Sequence, residues 1–236
     1  VTERLVLFDV DGTLLLSGGA GRRAILKALS DEVGVDPAGA ASVRFDGKTD
    51  PQIVVELFAA IGLSAECHPA RIDRILERYL VHLEADLAVH HARATVMPGV
   101  RPLLDSLHQD SRVVIGLLTG NIARGAEIKL KAVGIDPARF RVGAFGSDHP
   151  VRSSLPPIAL ERAGPLFGRA IEGERVVIIG DTPADVTCGQ GIGARSIGVA
   201  TGSFSTGQLS AAGAHAVFPD LGDTTAVHST IVGSLG

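Results

Sequence analysis

Cysteine is scarce in this chain. Cys67 and Cys188 are the two present, with no Cys-x-x-Cys pair and no zinc-ligand spacing. A disulfide scaffold and a structural zinc site are therefore excluded, and a reducing, intracellular setting is expected. Long apolar runs are missing as well. The longest are of strand length, well short of the ~20 residues that span a bilayer, so no membrane partner is expected. No basic block occurs and the net charge is −4, which argues against nucleic acid as a partner. Arg4 leads into a short apolar run and then into aspartates. No secretory leader is expected there, and a cytoplasmic location is. Internal repeats and low-complexity segments are absent too. What remains is a globular composition, 45% hydrophobic and 20% charged. Its 236 residues suffice for one domain of ordinary size, or one with a smaller insert. A monomer or a homodimer is expected.

The chain has two rhythms. Arg4 to Phe8 reads as a buried strand. Ser17 to Arg23 reads as a loop, followed by a helix to about Val33. Ile53, Val54, Leu57, Phe58 and Ile61 share one face of a helix over 52–61. Ile72, Ile75, Leu76, Tyr79, Leu80, Leu83 and Leu87 do so over 69–91, with Pro69 in the first turn. No strand is expected between residues 16 and 110. Beyond that, strands at 112–118, 140–145, 175–179 and 196–200 alternate with helices at 122–133, 156–166 and 184–191. Short signals continue to about Phe218, and the Thr-, Ser- and Gly-rich tail after Asp220 gives none. This alternation predicts an α/β fold: a parallel sheet with helices on both faces. The first strand stands before the helical block, so the block is an insertion.

Ligands of open parallel sheets sit outside the carboxyl ends of the strands. Three strand ends here carry polar groups: Asp9-Val10-Asp11-Gly12-Thr13, Thr119-Gly120-Asn121, and Gly180-Asp181-Thr182-Pro183-Ala184-Asp185. Brought to one rim, Asp9, Asp11, Asp181 and Asp185 would repel one another and hold protons unless a cation joined them. Hard oxygen donors suit Mg²⁺, which commonly shares a substrate phosphate. The Thr119 hydroxyl and the amides of Gly120 and Asn121, where a helix begins, suit a phosphate. A carboxylate is then left over as nucleophile.

These segments resemble a known family. DVDGTL at 9–14, LLTGN at 117–121 and IIGDTPAD at 178–185 are similar to motifs one, two and four of the haloacid dehalogenase superfamily. The nearest likeness is to its phosphoglycolate phosphatase-like members. The resemblance implies a Rossmann-like core over 1–16 and 96–236 and an inserted all-helical cap over 17–95. It implies that Asp9 is the nucleophile, that Asp11 is the general acid and base, and that Thr119 binds the phosphoryl group. Asp9, Asp11 through its carbonyl, and Asp181 would hold Mg²⁺, with Asp185 in support. The implied activity is Mg²⁺-dependent hydrolysis of a small phosphorylated substrate, phosphoglycolate-like or a sugar phosphate. A phosphohexose mutase, a phosphonate hydrolase and a non-catalytic metal- or phosphate-binding regulator are the alternatives.

One motif departs from the family pattern. The third usually offers a lysine, and the segment Gly146 to Ala163 has none. Arg152 is the nearest cation, placed to bridge nucleophile and phosphate, though as a planar fork and not a point charge. Lys129 and Lys131 fall along the helix after Asn121 and are expected on its surface; were Arg152 a solvated loop residue, one of them would have to reach in. DGKTD at 46–50 lacks the glycine and the preceding strand of a nucleotide phosphate loop. It lies in the insertion, where Lys48 can turn toward a substrate and Thr49 or Asp50 can cap a helix.

Overall fold

The computed structural model describes residues 4–233. Seventeen helices and strands of the regular kinds follow in chain order. They are β1 (Arg4–Phe8), β2 (Leu15–Leu16), α1 (Ala20–Val33), α2 (Asp50–Ala60), α3 (Pro69–Val89), β3 (Thr95–Val96), α4 (Val100–Gln109), β4 (Val113–Thr119), α5 (Ala123–Ala132), β5 (Val142–Phe145), α6 (Leu155–Phe167), β6 (Val176–Gly180), α7 (Pro183–Cys188), β7 (Arg195–Val199), α8 (Thr206–Ala211), β8 (Ala216–Phe218) and α9 (Thr224–Val232).

Six strands form one sheet in the order β5-β4-β1-β6-β7-β8, and every pairing is parallel. β1 is central and buried throughout. Its alternation sends side chains to opposite faces. Val6 and Phe8 pack with Leu103, Leu104 and Leu107 of α4, Leu130 of α5 and Ile231 of α9. Leu5 and Leu7 pack with Leu155 and Ala159 of α6 and with Ile178. Helices thus cover both faces, as the alternation predicts, which is the architecture a parallel sheet requires.

The inserted block has its own apolar cluster, in which Ile25 and Leu29 of α1 meet Phe58 of α2 and Ile75, Tyr79 and Leu83 of α3. Ile122 and Ile128 join it from the sheet side. α5 therefore faces the sheet with Ala126 and Leu130 and the helical layer with Ile128.

Three elements differ from the sequence reading. α1 begins at Ala20, inside the segment read as loop. A short antiparallel pair, Leu15↔Val96 and Leu16↔Thr95, stands where no strand was expected. Two residues are too few for a period to show. The tail forms α9, capped by the Asp223 carboxylate on the Ala226 N–H, with Val227 and Ile231 buried one turn apart.

Candidate active site

Register sets the rim. Phe8 stands opposite both Leu117 of β4 and Ile179 of β6, so Asp9, Thr119 and Asp181 leave adjacent strands at about the same height. The chain moves from β1 outward in both directions, and the crevice such a switch opens is where open parallel sheets bind ligands. A cavity of about 260 Å³ lies there. Asp9, Asp11, Thr119, Gly120, Asn121, Lys48, Arg152 and Asp181 all line it, so the structure brings together the residues expected from three strand ends and the insertion. Asp185 is buried behind them.

Carboxylate oxygens of Asp9, Asp181 and Asp185 all lie within 4.8 Å of one another. Burial pushes Asp9 up to about 7, helped by Asp185 and opposed by Arg152. Burial also pushes Asp181 up to about 9, with repulsion from Asp185 and Asp9 added. Gly12 lets the first loop close on this cluster. Its φ is 85°, and a Cβ there would stand 2.5 Å from Asp181 Oδ2. Asp11 faces elsewhere: its carboxylate accepts from Asn121 Nδ2 at 2.8 Å and Lys129 Nζ at 2.7 Å. Only its backbone, not its side chain, therefore remains for the cluster.

Arg152 is buried, not solvated. Its guanidinium donates to Asp9 Oδ1 at 2.9 Å and also to Asp185 Oδ1. Burial works against its charge, but Asp185 and Asp9 outweigh it and raise its pKa. The second Asp185 oxygen accepts from the Thr182 N–H at 3.0 Å and hydroxyl at 2.7 Å, closing a capping box at the start of α7. With both oxygens engaged, Asp185 supports the cluster from behind, while Asp9 and Asp181 keep oxygens toward the cavity. An all-oxygen donor set in which burial and mutual repulsion raise Asp9 and Asp181 fits a hard divalent cation.

Lys129 corrects the sequence reading most plainly. It is buried at the cavity wall, not on the helix surface, and donates to Asn121 Oδ1 at 2.6 Å besides Asp11. Lys131 does lie on the surface, paired with Glu127. Lys48 lines the cavity but its ammonium is held by Glu56. Thr49 caps α2, accepting from the Gln52 N–H at 3.3 Å, and its hydroxyl donates to the Pro150 carbonyl at 2.6 Å.

Asp50 was foreseen only as a cap, and it does more. Its N–H donates to the Gly120 carbonyl at 2.8 Å, and its carboxylate accepts from the Ile122 N–H at 2.8 Å. The insertion is thereby bonded in both directions to the turn after β4, at Gly120 and Ile122. Burial pushes Asp50 up to about 6, opposed by Lys129 and the Ile122 N–H. Arg22 and Tyr79 line the same cavity; Arg22 fell in a segment read as loop, and Tyr79 carried no signal beyond helical periodicity.

The chain resembles proteins already known. It is 28% identical over 226 residues to the phosphoglycolate phosphatase of Rhodospirillum rubrum, covering 93% of this chain and 90% of that one. It is 29% identical over 202 residues to the phosphoglycolate phosphatase of Pseudomonas putida, covering 84% and 70%. Among solved structures, a hydrolase from Pseudomonas syringae superposes with a TM-score of 0.72 at 22% identity, over 98% of this chain and 99% of that one. CbbY from Rhodobacter sphaeroides, in complex with phosphate, does so with 0.70 at 20%, over 94% and 96%. These two likenesses establish the fold. Residues 6–190 match the family model of haloacid dehalogenase-like hydrolases, and the chain belongs to that family.

Proposed function

We propose that this protein is a Mg²⁺-dependent phosphatase that hydrolyses a small phosphorylated metabolite, phosphoglycolate-like or a sugar phosphate, through a phosphoaspartate on Asp9. The observation that carries this reading is the buried set of Asp9, Asp181 and Asp185 with Arg152 bonded to Asp9, at the floor of a cavity lined by Thr119. The names of the curated relatives agree with it. A cavity of about 260 Å³ is below the usual ~300–1,000 Å³ of ligand pockets, which favours a substrate of few atoms.

Asp9, Asp181 and the Asp11 carbonyl would hold the cation, with Asp185 behind them. The cation would offset charge between the carboxylates and an incoming phosphoryl group. The chain's own residues do the rest. An Asp9 oxygen attacks phosphorus while the bond to the leaving oxygen breaks, and the Asp11 carboxyl proton passes to that oxygen. Water then attacks the phosphoaspartate, Asp11 takes its proton, and phosphate leaves with Asp9 restored as carboxylate. The Thr119 hydroxyl accepts from Asn121 Nδ2 at 2.8 Å, which leaves its O–H to donate to a phosphoryl oxygen. The Gly120 and Asn121 amides flank it. Arg152 steadies negative charge on Asp9 and the phosphoryl group. Lys48 lends charge from the helical wall, weakened by Glu56.

Residues 17–95 would form a cap and 1–16 with 96–236 the core; residues 1–3 and 234–236 of that core lie outside the described structure. The test is release of p-nitrophenol from p-nitrophenyl phosphate with Mg²⁺ and in excess chelator. Turnover confined to the Mg²⁺ arm is expected, and equal rates in both would overturn the reading.

A further inference from the structure

Lys129 has no place in the chemistry above, yet it is buried at the cavity wall and carries a charge. An ammonium has three N–H donors, and three acceptors surround this one. They are Asp11 Oδ2 at 2.7 Å, Asn121 Oδ1 at 2.6 Å and the Tyr79 hydroxyl. Asn121 completes a closed triangle, because its Nδ2 donates back to the same Asp11 oxygen at 2.8 Å. Asp11 Oδ2 is thereby held by two donors, both fixed on the segment after β4. From above, α1 closes at Gly21, where a Cβ would stand 3.2 Å from Lys129 Nζ. α3 closes with Tyr79, and Asp50 of α2 acts on the ammonium through its charge. Burial opposes the charge of Lys129, but Asp11, Tyr79 and Asp50 together raise its pKa. A charged lysine buried this far is retained at a cost unless its partners need it.

We infer that Lys129 is a positioning residue: it holds the Asp11 carboxyl at the height where proton transfer to the leaving oxygen occurs, and ties that placement to the helical layer seated above. The two cations divide the site, with Arg152 on the nucleophile and Lys129 on the acid and base. This inference rests on the phosphatase reading, since it concerns the residue that moves the proton there.

Leaving groups separate positioning from mere support. An alkyl phosphate such as phosphoglycolate needs a proton on its departing oxygen, whereas p-nitrophenolate departs without one. kcat/KM reports the step that forms the phosphoaspartate. Lys129→Met should lower kcat/KM for the alkyl phosphate by ~10²-fold or more, and for p-nitrophenyl phosphate by less than ~10-fold. With p-nitrophenyl phosphate a burst of product followed by a slow steady state is also expected, because Asp11 must still activate water. Should Lys129→Met fail to fold, Lys129→Gln keeps an N–H toward Asp11 without the charge, and should show the same preference more weakly.

A readout apart from turnover is the lysine side-chain NMR spectrum. The Lys129 ammonium signal should move in Asp11→Asn. Equal losses on both substrates, no loss on either, or an unmoved ammonium signal would overturn the inference. A wild-type protein inert toward both substrates with Mg²⁺ present would overturn the phosphatase reading and this inference with it. Wild-type turnover with an unchanged substrate ratio in the lysine variant would overturn this inference alone.

Discussion

Two side chains at the carboxyl end of the sheet, Asp9 and Arg152, can be set apart by single substitutions. Asp9→Asn keeps the shape and removes the anion, so turnover should fall to near zero with the circular dichroism spectrum unchanged. Turnover near wild type would rule out Asp9 as nucleophile. Arg152→Ala should lower kcat/KM by ~10²-fold or more, since losing a preorganised donor costs about 3 kcal/mol. It should also lower thermal stability, because Asp9 and Asp185 would be left buried without their cation. Arg152→Lys should recover part of both losses, the ammonium reaching one carboxylate better than two. Unchanged kinetics in Arg152→Ala would remove it from the site. The burial of Arg152 and that of Lys129 had unequal signals in the sequence. Arg152 stands where a family pattern wants a cation. Lys129 stands on an amphipathic helix, where a lysine reads as solvated, and it is buried only because α1 and α3 sit on that face of α5.

At the scale of elements, the strands that end in aspartate or threonine were legible because a buried apolar run that stops in a charge is unusual. The parallel sheet follows from strand-helix alternation, and among the described residues six parallel strands form it; their order was not legible. What stayed hidden was tertiary. The pairing of Leu15–Leu16 with Thr95–Val96 joins residues about 80 positions apart through two residues each, where the insertion leaves and rejoins the core. The docking of the α2 N-terminus on the Thr119-Gly120-Asn121 loop depends on Asp50, whose sequence context offers only a helix cap. Gly120 makes that docking possible, since a Cβ there would overlap the Lys48 carbonyl oxygen. Gly120→Ala should therefore lift α2 from the loop, break the Asp50 N–H bond to the Gly120 carbonyl, and cost about 1–3 kcal/mol of overpacking strain. Denaturant titration should show a lower midpoint, and KM should rise more than kcat falls. A midpoint equal to wild type would mean that the two segments do not sit this close.

Across the whole molecule, the acidic cluster links stability to pH and to the cation. Burial pushes Asp9 up to about 7 and Asp181 up to about 9 in the fold, against ~3.9 in an unfolded chain. Their folded values are raised, so the fold binds more protons than the unfolded chain between those limits. The stability they contribute is present below about pH 4 and is lost as pH rises through 7 toward 9. A divalent cation held by the ionised forms, Mg²⁺ in the proposed function, would restore that loss. Thermal melts should show a larger gain in Tm from Mg²⁺ at about pH 8.5 than at about pH 5.5. An equal gain at both would place the cation elsewhere. No helix among the described residues is long and apolar enough to cross a membrane.

The central claim is a covalent phosphoryl group on Asp9. It is tested most directly by quenching the wild-type protein in acid during turnover of p-nitrophenyl phosphate with Mg²⁺, then locating the adduct by peptide mass spectrometry. One phosphoryl group is expected on the peptide carrying Asp9, absent from Asp9→Asn and from wild type in excess chelator. Turnover with a phosphoryl group on a peptide lacking Asp9, or an adduct that persists in Asp9→Asn, would contradict the account.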